Sequence, residues 1–144
     1  MEHGDIDNSI APKVLVEFED LIAHQNQHFP KPRMLRRRRA TVSDWDLDDL
    51  VVKVMWHMVW NLHLQIEVIT SQGEEFAGQL AGWLDAEDVP AQRVWAYEPR
   101  ALARRLATMP YVSVIYTGRA DHAALYGRWG RLVTAANVQQ MGRF

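Results

Sequence analysis

The stretch Val14-Leu15-Val16-Glu17-Phe18-Glu19-Asp20 decides the fold. Its apolar, largely β-branched run is too short for a helix and breaks off in carboxylates, so residues 13–18 read as a buried strand with an acidic end. A second stretch of the same kind, Ile66-Glu67-Val68-Ile69-Thr70-Ser71, ends in hydroxyls. Ligands of an open α/β sheet bind just beyond the carboxyl ends of its strands, so the two tips are expected to face one crevice.

Outward from these strands, apolar runs alternate with helical periodicity. Residues 1–11 are polar and aperiodic and read as a loose arm. From Leu21 to Thr41 the pattern is broken by Pro30 and Pro32, followed by Arg36, Arg37, Arg38 and Arg39, which marks a long exposed connection with a basic loop at 30–42. Leu47, Leu50, Val51, Val54, Met55, Met58, Val59 and Leu62 keep helical spacing, and Ser43 with Asp46 resembles a capping box, which predicts a helix over 45–62. Residues 64–70 form the second strand. Phe76, Leu80, Trp83 and Leu84 then give a helix after Gly73 its buried stripe. A third strand follows over 93–97, and Pro99 opens a helix that reaches about residue 108. A fourth strand over 111–117, a short helix between Gly118 and Gly127 and an edge strand over 131–134 complete the pattern. Strands alternating with helices pair in parallel through right-handed crossovers. The predicted fold is α/β, a small Rossmann-like three-layer sandwich with a mainly parallel sheet, as one domain over 12–134 before a tail at 135–144.

Composition narrows the function classes. A chain of 144 residues, 48% hydrophobic and 24% charged, is large enough to bury a core as a single domain. The formal net charge of -2 and pI near 6.3 argue against a nucleic-acid binder that works through bulk charge, which leaves the arginine run as a local patch. With no cysteine there is no disulfide framework, thiolate zinc site or cysteine nucleophile. The first residues lack the order of a signal peptide, and no uncharged apolar stretch reaches the roughly 18 residues of a membrane span. The expected location is the cytoplasm, or a soluble place in a larger assembly such as a virion, with no membrane partner.

Taken in order, these pieces resemble the haloacid dehalogenase-like (HAD-like) superfamily of phosphohydrolases and phosphotransferases, over roughly residues 13–134. In that family the first strand ends in Asp-x-Asp-Gly-Thr, the second in Thr or Ser, a Lys or Arg precedes the last motif, and a later strand ends in acids. The matching stretches are Glu17-Phe18-Glu19-Asp20-Leu21, Thr70-Ser71, one of Arg100, Arg104 or Arg105, and Thr117-Gly118-Arg119-Ala120-Asp121. The resemblance implies Glu17 as nucleophile, Glu19 as acid/base, Thr70, Ser71 and Arg104 on the phosphoryl oxygens, and Glu17, Glu19 and Asp121 at a magnesium ion. Both glutamates stand where the family has aspartates, so each carboxylate sits one methylene too far out. A displacement of about 1 Å can lower a rate on the order of 10²-fold.

Other residues allow a quieter and a sharper role. Thr70 and Ser71 suit the N-cap of the helix after Gly73. His24 and His28 have the spacing of a metal pair but lack a third ligand. His57 and His63 belong with a helix and its core, whereas Asp121 beside His122 makes a pair in which the carboxylate can orient the imidazole. Trp56 and Trp60, four apart at the margin of the long helix's apolar stripe, point to a partner surface. The expectation is a degenerate HAD-like domain with no cofactor, serving self-association or a protein assembly, as would suit a bacteriophage structural or accessory protein. One alternative is a magnesium-dependent phosphohydrolase acting on a phosphate ester or nucleotide. Another is a nucleic-acid-associated protein that uses Arg36, Arg37, Arg38 and Arg39.

Overall fold

In chain order the elements are β1 (Lys13–Glu17), β2 (Ala23–Gln25), β3 (Trp45–Leu47), α1 (Asp49–Leu62), β4 (Gln65–Thr70), α2 (Glu74–Ala86), β5 (Arg93–Ala96), α3 (Pro99–Arg105), β6 (Val112–Thr117), α4 (Ala120–Gly127) and β7 (Val133–Ala135). Short 3-10 turns occupy Val42–Asp44 and Leu106–Thr108. The computed structural model describes residues 13–25, 42–109, 112–127 and 133–135. Five strands form one sheet in the order β5-β4-β1-β6-β7, and every pairing in it is parallel. All five carboxyl ends therefore lie along one edge, with β1 at the centre.

Alternation along β1 divides the core into two layers. Val14 and Val16 turn to one face, where they meet Val51, Met55 and Met58 of α1 and Phe76, Leu80 and Leu84 of α2. Leu15 turns to the other, against Leu102 and Ala103 of α3 and Tyr126 of α4. This is the predicted three-layer sandwich: both sheet faces are covered by helices, and the strands are accordingly apolar on both sides.

Three local expectations are corrected. The long helix starts at Asp49, not at 45, because Trp45–Leu47 pairs antiparallel with Ala23–Gln25. Asp48 rather than Ser43 is the N-cap, its carboxylate accepting from the backbone N–H groups of Leu50 (3.2 Å) and Val51 (3.3 Å). Leu21, Ile22 and Ala23, expected in an exposed connection, are buried. Phe18 packs there against Trp45, Phe76 and Trp83 at ring separations of 5.3, 5.9 and 6.0 Å, which ties the hairpin to α2. Finally, Thr70 and Ser71 do not cap α2. Gly73 holds that place at a φ of 100°, with no side-chain cap bond. The arm at 1–11, His28, the arginine run and residues 136–144 lie outside the described residues.

Candidate functional site

The carboxyl end of β1 leaves the sheet in a tight turn. The Phe18 N–H donates to the Ile69 carbonyl (2.9 Å), the Ala23 N–H returns to the Phe18 carbonyl (3.0 Å), and Asp20 sits in the left-handed region at a φ of 64°. Gly118, at the end of β6, makes this possible. A Cβ on it would lie 2.0 Å from the Asp20 carbonyl oxygen, so only glycine lets the β1 exit and the β6 tip approach.

Glu17 lies on the α4 side of the sheet and is almost wholly buried, at 5% exposure. Thr117 donates its hydroxyl to Oε1, Tyr126 donates its phenol to Oε2 at 2.6 Å, and His122 Nδ1 lies 2.9 Å from Oε2 and 3.1 Å from Oε1. Burial, and then the neighbouring Glu17 charge, push the Tyr126 phenol far above its ordinary value, so it remains a donor. With the carboxylate as acceptor, the hydrogen-bond network assigns a proton to Nδ1 of His122. Its Nε2 makes no hydrogen bond among the described residues, and the ring lines an open crevice.

Glu19 meets different surroundings. It is half-buried, accepts the Thr70 hydroxyl, and takes the Ser71 N–H at 3.3 Å. Burial raises its carboxyl above the ordinary value despite these hydrogen bonds, and the Glu17 charge adds to the rise. Thr70 also accepts the Gln72 N–H at 3.2 Å, which rounds off the β4 tip.

The crevice beyond the strand tips has a volume of about 370 Å³ and is lined by Ser71, Glu98, Arg100, Arg119, Asp121 and His122 among others. Arg119 grips Asp121 with two parallel bonds, Nε to Oδ1 at 3.1 Å and Nη2 to Oδ2 at 3.0 Å, and reaches Asp20 at 3.8 Å. That fork holds the Asp121 carboxyl down to about 2. Glu98 accepts the Ala101 N–H at 3.1 Å and so caps α3. Arg100 rather than Arg104 lines the crevice, since Arg104 Nε donates to the Arg100 carbonyl at 3.4 Å along the helix.

A magnesium ion takes a near-octahedral array of oxygens in which one or two carboxylates present open lone pairs and waters or phosphate oxygens fill the rest. Both Glu17 oxygens already accept bonds from Thr117, His122 and Tyr126, and Asp121 is held in the Arg119 fork. Among the described residues no group of three His, Asp or Glu side chains is placed to hold a metal. With the Glu19 oxygens also taken by the Thr70 hydroxyl and the Ser71 N–H, this donor set does not fit the ion, and no step through it follows.

Of the residues singled out in the sequence, Glu17, Glu19, Thr70 and Ser71 do gather at neighbouring strand ends, through Thr70 and Ser71 on Glu19 and through the electrostatic coupling of the two glutamates. Asp121 turns to Arg119 instead, and the acid that orients His122 is Glu17. Thr117 and Tyr126 were not foreseen as partners of that acid. Tyr126 follows His122 by four residues, which puts both on one helix face, and that spacing was a usable signal. Trp56 and Trp60 stack at 6.1 Å beside the amino end of β4, across the sheet from the crevice.

No protein-family model matches the sequence, and no curated protein does. Among solved structures, a chain of the structure described as that of the Pnkp1/Rnl/Hen1 RNA repair complex shares the fold with a TM-score of 0.69 at 11% identity, covering 94% of this chain. The match takes in 45% of that neighbour, so this chain spans less than half of its length, and what the two share is the fold.

Proposed function

We propose that the chain is a HAD-like domain that works by binding, as a subunit or accessory of a protein assembly, rather than as a phosphatase with a carboxylate nucleophile. The observation that carries this is the saturation of Glu17. A nucleophile needs a lone pair aimed at phosphorus from about 3–3.5 Å. The Glu17 oxygens are instead buried and bonded to Thr117, Tyr126 and His122, which makes the carboxylate a pin between β1, β6 and α4. The strand order and the fold shared at a TM-score of 0.69 support the HAD-like assignment. Incubation of the protein with magnesium and para-nitrophenyl phosphate is expected to give no turnover above buffer, with or without Glu17→Ala. Magnesium-dependent turnover that disappears in Glu17→Ala would overturn the reading.

A second reading, a phosphohydrolase at the same crevice, is favoured by one observation: His122, which lines the crevice with Ser71 and Arg100, has an Nε2 that makes no hydrogen bond among the described residues. An imidazole held through its other nitrogen is suited to accept a proton. Turnover lost in His122→Ala but kept in Glu19→Gln would mark that chemistry and set it apart from use of Glu19 as the reacting group.

A further inference from the structure

We propose that the face of α1 carrying Trp56 and Trp60 pairs with the same face of a second copy of this chain. The proposal rests on the binding reading above and names the partner. Trp56 is fixed, its indole N–H donating to the Asp88 carbonyl at 2.9 Å. Trp60 lies stacked on it at 6.1 Å and 21° between planes, yet remains 69% exposed. An indole ring left that open while its neighbour is pinned is a rigid aromatic knob, the kind of group that anchors interfaces.

The matching hollow is on the same face. A groove of about 420 Å³ opens beside Trp56, with Val59, Leu64, Val89 and Pro90 among its lining. On the helix, Val59 and Trp60 fall on opposite flanks of Trp56, so knob and hollow lie side by side with the fixed indole between them. A two-fold axis through Trp56 carries each Trp60 toward the other copy's groove, and this is the condition for a closed, self-complementary interface.

Charge selects the same partner. Lys53 stands on the Trp60 flank of α1, three residues before Trp56, whereas Asp85 and Asp88 stand on the rim of the groove. All three are exposed, and none has a side-chain ion-pair partner among the described residues. The rotation that seats Trp60 in the groove also brings Lys53 to the acids of the other copy. An unrelated apolar surface would satisfy the groove and the knob, but it would not be expected to carry an ammonium and two carboxylates at the matching places.

Sedimentation velocity of the full chain from about 1 to about 100 µM, the range of micromolar association, is expected to show a monomer passing to a dimer. Trp60→Ala is expected to weaken the dimer at least about tenfold, as loss of a central aromatic anchor does, with a melting curve unchanged at concentrations where both proteins are monomeric, because the side chain is exposed in the monomer. Lys53→Asp is expected to weaken it as well, and adding Asp85→Lys to restore it. A chain that stays monomeric throughout, or a dimer indifferent to Trp60→Ala, would overturn the proposal. So would protection of Trp60 only in a complex with a different protein. A monomer that also fails to turn over phosphate esters removes this partner alone and leaves the binding reading standing, whereas turnover lost in Glu17→Ala removes that reading whatever the dimer does.

Discussion

Glu17 and Glu19 are two residues apart, and their surroundings give them opposite characters. Glu17 points into the sheet interior and gathers donors from β6 and α4, so its carboxyl group is held in place by hydrogen bonds. Glu19 lies at the turn, where burial outweighs the hydrogen bonds it accepts. A carboxyl whose value is raised by folding contributes stability that is fully present below its unfolded value, near 4.5, and lost as pH rises through the higher folded value. Glu19→Gln keeps an acceptor oxygen for Thr70 or Ser71 and removes the ionisation. Urea unfolding at a series of pH values is therefore expected to show wild type losing ground to the variant as pH rises from about 4.5, and then holding a constant difference. A difference that does not change with pH would show that Glu19 ionises as freely in the folded protein as in the unfolded chain. The types and spacing of these acids were legible from the sequence. Which of them would be satisfied was not, because the donors come from Thr117, His122 and Tyr126, about a hundred residues away.

At the scale of elements, periodicity together with Pro99, Gly118 and Gly127 placed the helices and the strands of the large sheet among the described residues, because each element buries a face against a neighbour and the pattern records that face. Errors fell where a distant segment competes for the same backbone. Trp45–Leu47 carries the first apolar residues of the helical pattern, but Ala23–Gln25 takes its backbone groups into a two-stranded ladder, and Asp48 begins the helix after it. The turn after β1 shows the same dependence. Gly118 has no evident reason in its own segment, and its reason is the Asp20 carbonyl lying 2.0 Å from where a Cβ would stand. A backbone atom cannot swing aside as a side chain does, so Gly118→Ala is expected to cost about 1–3 kcal/mol, as overpacking does. Urea unfolding measures it, and a change below about 0.5 kcal/mol would mean that the turn relaxes freely.

Across the whole molecule, one pair of charges joins the sheet to itself beneath the site. Lys13 and Glu67 are fully buried on neighbouring strands, with Nζ 3.3 Å from Oε2. That contact is a charge pairing without an aligned hydrogen bond, while Trp95 donates to Oε1 at 2.7 Å and Lys13 donates to Gln65 at 3.1 Å. Removing one partner of such a pair strands the other's charge, so Glu67→Ala is expected to destabilise by about 3–5 kcal/mol, whereas Lys13→Met with Glu67→Leu is expected to lose much less. Thermal unfolding of the three proteins checks this, and a double variant as unstable as Glu67→Ala would refute it. No helix among the described residues is long and apolar enough to cross a membrane. By itself the sequence determined the α/β class, the parallel alternation and the carboxylates and hydroxyls at the strand tips, because local period and residue type record which face of each element is buried. Tertiary structure alone decided that Glu17 is a pin and that Trp56 is fixed while Trp60 is open. Each of those outcomes depends on which distant donor or backbone group arrives within hydrogen-bonding reach, and the packing of helices across the sheet sets that.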